Sequence, residues 1–406
     1  MGAAHRHGGQ RQPQLNHFMQ QPCKRFVKVW LLATVAALAG LAGFNVLVDP
    51  AGAYQGLHLH WFEPLRYLDH DRVHKAEMAR RGDWQVIILG SSRSKAGLPA
   101  EHPFLATNRT CNLSVDGAKF TEMASIFDYT LQHNPVKHVI ICVDLHMFSQ
   151  GPRWLLDFSD SRFNPGFDRF IYYCKQLLGR DSTERAWETV RRQLQGRHPT
   201  AQESNGFYRH SLNADTCQRE LFDRVLHLMA AGYRLRTFDP SYLELFRQMV
   251  RACRDRHIDL QVAIVPVHAL DLELFYAIGR WPEFEQWKTG LADVLAQEGV
   301  EGKVGLWDFT GYAGPPAEAV PPAGDAASRM RFYFESSHFT PVLGGLMLDA
   351  MLGGSSTNQF GFKLDRSHLK THLARILEDR IDYARTNAAD IQWVKRIVTE
   401  VGAKPK

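Results

Sequence analysis

Residues 84–97 read WQVIILGSSRSKAG. The apolar run 86–89, with Trp84 just ahead of it, has the composition of a strand buried on both faces. It stops at Gly90, and Ser91, Ser92, Arg93 and Ser94 follow at once. Glycine lets the chain turn sharply, and ligands of open α/β sheets gather at the carboxyl ends of strands. The stretch therefore reads in one of two ways. Either a parallel strand ends by exposing a hydroxyl, or a polar loop follows it whose serine caps the next helix.

Four more short apolar segments lie downstream: 109–115 (RTCNLSV), 136–143 (VKHVIICV), 260–265 (LQVAIV) and 304–309 (VGLWDF). Between them, 119–131, 242–257 and 284–297 carry apolar residues at helical spacing. Strand and helix alternating at this pace describe βαβ units with right-handed crossovers. The expected fold is α/β, a flavodoxin-like three-layer sandwich around a parallel five-stranded sheet. Residues 150–240 interrupt the rhythm as a helical insertion, broken by the polar stretch 196–216, that could cover one side of the sheet as a lid. The Pro-, Gly- and Ala-rich loop 313–327 reads as mobile. Residues 355–406 read as a charged C-terminal helical tail.

Upstream, 1–28 is polar and basic and reads as a disordered tail. Residues 29–48, VWLLATVAALAGLAGFNVLV, have only Thr34 and Asn45 as polar side chains, about the length that crosses a hydrocarbon core. Asp49-Pro50 follows with no small-x-small exit, so a signal-anchor is expected, not a cleaved leader. Positive charge on the N-terminal side places the tail in the cytoplasm and 49–406 outside. A buried core helix in a cytoplasmic protein is the alternative. The chain has 406 residues, 45% apolar and 22% charged, with a net charge of +5. That charge is mild and partly in the tail, which gives no reason to invoke nucleic acid. Six cysteines (23, 111, 142, 174, 217 and 253) show no metal-like spacing, and Cys111 and Cys142 read as buried thiols. His70 and His74, four apart, lack a partner that would complete a metal site and read as solvated.

The strand after which Ser91 and Ser92 appear has a counterpart 240-odd residues away in FYFESSHFTP, 332–341. In a parallel sheet both loops emerge at the carboxyl edge, so the serines can meet Glu335 and His338. A hydroxyl becomes a nucleophile when an imidazole takes its proton, and the imidazole needs a carboxylate to fix its tautomer. The combination is complete for acyl transfer. His268, at the end of 260–265, could line a cleft or pack, and Trp281, Trp287 and Trp307 could stack on sugars or fill the core.

G-S-S-R after the first strand and E-S-S-H before the last apolar helix resemble blocks I and V of the SGNH (GDSL-like) hydrolase superfamily. FNVLVDPAG (44–52), CNLSVDG (111–117), VIICVDLHMF (139–148), IVPVHA (264–269) and LWDFTGY (306–312) extend the likeness. They are similar to membrane-anchored SGNH-like proteins of bacterial polysaccharide loci, in the style of alginate acetylation proteins and of the D-alanyl transfer protein of teichoic acid synthesis. The resemblance implies Ser92 as nucleophile, His338 as base and Glu335 in the position where the superfamily usually has Asp. It implies Gly117 as an oxyanion donor. The block III Asn has no counterpart, since Asp144 follows the third strand; Arg93 or Asn112 could supply the missing donor. Asp144 could equally cap a helix.

These readings give the expected function. The chain would be a single-pass protein of the bacterial inner membrane, with a periplasmic acyltransferase or esterase acting on O-acyl, chiefly acetyl, groups of an exported polysaccharide. No metal or organic cofactor is implied. A transferase would need an acyl donor from across the membrane, hence a multi-span acyltransferase partner. The alternative is a non-catalytic scaffold or glycan-binding component of an envelope complex.

Overall fold

The computed structural model describes residues 14–54, 57, 59–65, 71–149, 156–196, 205–353 and 360–403. Its helices and strands follow in the order α1 (Gln14–Val48), α2 (Asp71–Arg81), β1 (Val86–Leu89), α3 (Ser92–Gly97), α4 (Pro103–Thr107), β2 (Thr110–Asn112), α5 (Phe120–His133) and β3 (His138–Val143). Next come α6 (Arg169–Leu178), α7 (Arg180–Leu194), α8 (Gln218–Leu235), α9 (Tyr242–Asp255), β4 (Asp259–Ile264), α10 (Ala269–Ala277), α11 (Trp281–Gln297) and β5 (Gly305–Asp308). The chain closes with α12 (Pro341–Leu352), β6 (Phe362–Lys363), α13 (Leu369–Thr386) and α14 (Ala388–Ala403). It divides into two compact units, Met1–Arg66 with Asp168–His198, and Tyr67–Phe167 with Pro199–Lys406.

In the first unit α1 is a single helix of 35 residues. Its segment Lys24–Val48 is long and apolar enough to cross a membrane. The helix begins at Gln14, inside the stretch expected to be disordered. Once a helix exists, each added residue gains a hydrogen bond without a new nucleation cost, so the apolar segment can carry its polar flank into the helix. Residues 1–13 lie outside the described residues. The end of α1 meets α6 and α7. Asn45 donates through Nδ2 to the Leu177 carbonyl at 2.8 Å and to Thr183 Oγ1 at 3.0 Å, and Val48, Phe62 and Ala186 form a small core.

The second unit is α/β around a six-stranded mixed sheet in the order β2-β1-β3-β4-β5-β6. The first five strands pair in parallel, and β6 pairs antiparallel with Trp307 and Asp308 of β5. The expected sheet had five strands. The sixth is a two-residue edge set by its neighbour, too short to leave a periodic pattern. Val86, Ile87, Ile88 and Leu89 are all fully buried, as a strand covered on both faces must be. Helix α5 packs on α9 and α9 on α11, while α3 packs on α12. With right-handed crossovers, these rows cover opposite faces.

The insertion 150–240 is split between the units: α6 and α7 belong with α1, and α8 belongs with the sheet. The C-terminal stretch is no appended tail, because α14 buries Ile391, Trp393, Val394 and Ile397 and packs on α8 and α10. Within the loop 313–327 the Glu318 carboxylate accepts from the N–H groups of Arg331 and Phe332 at 2.6 and 2.8 Å. His74 is buried within α2, not solvated, and His70 lies outside the described residues.

Candidate active site

Because β1 to β5 run parallel, their carboxyl ends share one edge, and the loops there carry the polar chemistry. At the end of β1, a side chain on Gly90 would collide with the Ser94 hydroxyl and come within 3.0 Å of the Cys142 carbonyl oxygen. Only glycine allows the chain to turn so tightly against β3. Ser91 is the N-cap of α3 and Ser92 its first residue, so the Ser92 N–H is one of the first-turn donors with no intrahelical acceptor. Ser91 stands at the N-cap position but makes no side-chain cap; its hydroxyl donates to Asp144 Oδ2 at 3.4 Å instead.

The second loop is a narrow hairpin. Phe334 N–H donates to the His338 carbonyl at 3.0 Å, and Thr340 N–H to the Phe332 carbonyl at 2.8 Å. Gln218, buried at the start of α8, donates to the carbonyls of Tyr333 and Phe334 at 3.0 and 3.1 Å and accepts from Met330 N–H at 2.7 Å. After the hairpin, α12 lies so close to α3 that a side chain on Gly344 would stand 3.1 Å from Leu98 Cα. The Gly344 approach thus holds the helix after the histidine loop against the helix that begins at Ser92.

The result is a hydrogen-bonded line. Ser92 Oγ lies 2.8 Å from His338 Nε2, and His338 Nδ1 contacts Glu335 Oε1. With Nδ1–H donating to the carboxylate, a neutral ring leaves Nε2 as acceptor for the serine proton. Glu335 also accepts from Ser337 N–H at 2.7 Å and from Ser337 Oγ at 3.2 Å. Burial pushes the Glu335 carboxyl up, but His338, the Ser337 N–H and Arg93 outweigh it and hold it below the ordinary glutamate range. An ionised Glu335 is what an imidazolium on His338 would need.

The structure brings Ser92, His338 and Glu335 together; the oxyanion candidates fare differently. Asn112 is fully buried. Its amide donates to the Ser94 carbonyl at 3.3 Å and accepts from Ser114 N–H at 3.1 Å, tying β2 to α3. Arg93 is buried beside Asp144 at 3.2 Å and Asp271 at 3.8 Å. Both are thus engaged with buried partners, and neither is among the residues that line the cleft. Gly117, at φ 61°, follows Asp116, which does line the cleft. Asp144 caps the turn after β3 through Met147 N–H at 3.3 Å and is paired with Arg93, so its charge is answered internally.

A cleft of about 670 Å³ opens over this line, with Lys95, Tyr208, His210, Arg224 and Phe334 among its walls. Lys95 is held by Asp71 at 2.9 Å and Asp116 at 3.1 Å. The His210 ring meets Phe334 edge-on at 4.5 Å, and desolvation and the nearby His338 hold it below the ordinary imidazole range. His268 packs beneath the hairpin: its N–H donates to the Ser336 carbonyl at 2.9 Å and its Nε2 to the Glu318 carbonyl at 2.7 Å. Burial pushes it down to about 4. Trp281 and Trp287 are buried and Trp307 is packed against the core, so none of the three offers a sugar-stacking face. Cys111, Cys142 and Cys253 are buried free thiols.

Sequence reasoning missed Gln218, Asp271 and the cleft walls Tyr208 and His210. Gln218 and its partners are more than a hundred residues apart, and no local pattern joins them. His210 sits in a polar stretch where the only available signal was a histidine between aromatic and hydroxyl residues. What fold and site define is an α/β chain with a Ser-His-Glu hydrogen-bonded line at the carboxyl edge of a largely parallel sheet. Comparison with known proteins adds no name to it: no family model, no curated protein and no solved structure matches the chain.

Proposed function

We propose that the chain is a membrane-anchored SGNH-like serine acyltransferase or esterase acting on O-acyl groups, chiefly acetyl, of an exported polysaccharide. The observation that carries this reading is the Ser92–His338–Glu335 line, with oxygen and nitrogen 2.8 Å apart across 246 residues of sequence. The strand order β2-β1-β3-β4-β5 within the sheet is that of doubly wound flavodoxin-like folds, which supports the SGNH likeness. The segment Lys24–Val48 supports a single span, with a cytoplasmic N-terminus and an exported remainder by the charge rule.

The chemistry follows from the geometry. Ser92 Oγ attacks the ester carbonyl while its proton passes to His338 Nε2, and Glu335 stabilises the imidazolium. The tetrahedral oxyanion collapses with loss of the alcohol, which takes the proton from His338, leaving acyl-Ser92. A sugar hydroxyl or water then attacks the acyl carbon with His338 taking its proton. The carbon–Ser92 Oγ bond breaks as His338 returns that proton to Ser92, and the acyl group leaves on the attacking oxygen. Transfer would draw its acyl donor from a multi-span membrane partner; hydrolysis needs only water.

A non-catalytic scaffold is favoured by one specific observation, the commitment of Asn112 and Arg93 to internal bonds, which leaves backbone N–H groups as the oxyanion donors. Reaction of the full chain with a fluorophosphonate separates the two readings. The enzyme is expected to label at Ser92 and to lose the label in Ser92→Ala. A native chain that never labels is the scaffold.

A further inference from the structure

Among the described residues, seventeen of the twenty-two exposed large hydrophobic side chains belong to the unit built from Met1–Arg66 and Asp168–His198. Nine of these lie on α1, as a membrane span requires, and eight do not. The eight fall on the segment after α1 and on α6 and α7. On α6 the arrangement is inverted relative to a water-facing helix. Phe170, Ile171, Cys174 and Leu178 are exposed, and at about 100° per residue they share one arc of roughly 100°. The side turned inward carries Tyr172 and Gln176, with Gln176 Oε1 accepting from Ser182 Oγ at 3.3 Å. A surface helix in water puts its polar side chains outward; α6 puts an apolar arc there, flanked by the exposed Arg169 and Lys175, with Phe170 78% exposed. Trp187 of α7, 62% exposed, and Trp61 present indole rings from the same unit.

The attachment point says what covers this face. Helices α6 and α7 are bonded to the last turn of α1, through Asn45 to Leu177 and Thr183 and through Val48 to Ala186. The span Lys24–Val48 has 25 residues, about 37 Å of helix against a hydrocarbon core of about 30 Å. Its last turns therefore reach the headgroup level, where amphipathic helices lie in the plane and Trp is enriched. We propose that α6, with Trp61 and Trp187, is an interfacial platform whose Phe170–Leu178 face enters the acyl boundary of the leaflet from which α1 emerges. The inference rests on reading Lys24–Val48 as a membrane span, and its occupant is lipid.

The test uses the full chain with Cys23 and Cys217 changed to Ser. Cys111, Cys142 and Cys253 are buried, so Cys174 is the accessible thiol. The protein is reconstituted in phosphatidylethanolamine–phosphatidylglycerol vesicles with no other protein and spin-labelled at Cys174. Collision rates with oxygen and with a water-soluble nickel chelate are then compared. A label at the acyl boundary should show an oxygen-to-nickel ratio at least about threefold above that of an aqueous label. A Val35→Cys label in a Cys174→Ser background reports on the span itself. If the Val35→Cys label is in lipid while Cys174 remains water-accessible, the platform is overturned and the span survives; a face reserved for a protein partner would give this result. If both labels are aqueous, the span reading fails and the proposal goes with it.

Discussion

Asp271 shows how a buried charge next to the site is balanced. It is fully buried; its Oδ1 accepts from Tyr233 OH at 2.8 Å, and Arg93 Nη2 lies 3.8 Å from its Oδ2. Arg93 is closer to Asp144, at 3.2 Å, so one guanidinium serves two carboxylates while Glu335 stays ionised nearby. Burial pushes the Asp271 carboxyl up to about 7, with Arg93 and the Tyr233 hydroxyl pulling part of the way back. The folded value then exceeds the ordinary aspartate value of 3.8, and the folded chain holds a proton that the unfolded chain releases. That contribution is fully present below about pH 4 and is lost as pH rises through about 7. Asp271→Asn carries no such proton. Urea denaturation at several pH values between 4 and 8 should show wild-type stability falling by roughly 2–4 kcal/mol more than that of Asp271→Asn. Parallel pH–stability curves would mean that Asp271 is ionised throughout.

The hairpin that carries Glu335 and His338 is positioned by elements on either side of it, and Gln218 at the head of α8 is the strongest single tie. Replacing it by Ala leaves two carbonyls and one N–H buried without partners, each unmade bond costing about 1–3 kcal/mol if the hairpin does not move. Movement is the cheaper outcome, and it shifts His338 from Ser92. Gln218→Ala is expected to keep its circular dichroism spectrum while fluorophosphonate labelling of Ser92 slows at least about tenfold; an unchanged labelling rate would show that the hairpin holds its place unaided. The same contrast between local and distant forces decides what could be read beforehand. Strands β1, β3, β4 and β5 were legible because each lies in a short segment dominated by apolar residues, and β2, Thr110–Asn112, only as part of the segment 109–115. Ser92 was legible because it follows β1, and Glu335 and His338 because they precede the apolar helix α12. Strand β6, two residues long, was not, since only Trp307 and Asp308 specify it. Asn112 looked like a free donor because nothing in its neighbourhood reveals that Ser94 and Ser114 already occupy its amide. The C-terminal helices read as a tail because their charges mask the side chains each one buries, Leu373 and Ile376 of α13 and a stripe of four on α14 among them.

The stripe on α14 makes the C-terminus part of the second unit's hydrophobic core. Ile391, Trp393, Val394 and Ile397 of α14 are buried against α8 and α10. Trp393 Nε1 donates to Asp223 of α8 at 2.6 Å, and the Arg219 guanidinium stacks over its ring at 3.4 Å. Burying an apolar side chain contributes about 1.5–3 kcal/mol, so the four together are worth roughly 6–12 kcal/mol, as much as a typical domain's whole stability of about 5–15 kcal/mol. Helix α8 is also the element that begins with Gln218, so α14 stabilises the support on which the His338 hairpin rests. A chain ending at Asn387 is expected to lose cooperative thermal unfolding and near-ultraviolet dichroism and to leave Ser92 unlabelled by the fluorophosphonate. Trp393→Ala, which keeps the helix but empties its largest buried side chain, should lower stability by about 3–5 kcal/mol and leave labelling of the folded fraction intact. If the truncated chain instead melts within a few degrees of the full one, α14 is an appendage after all, and the sheet with its Ser-His-Glu line stands without it.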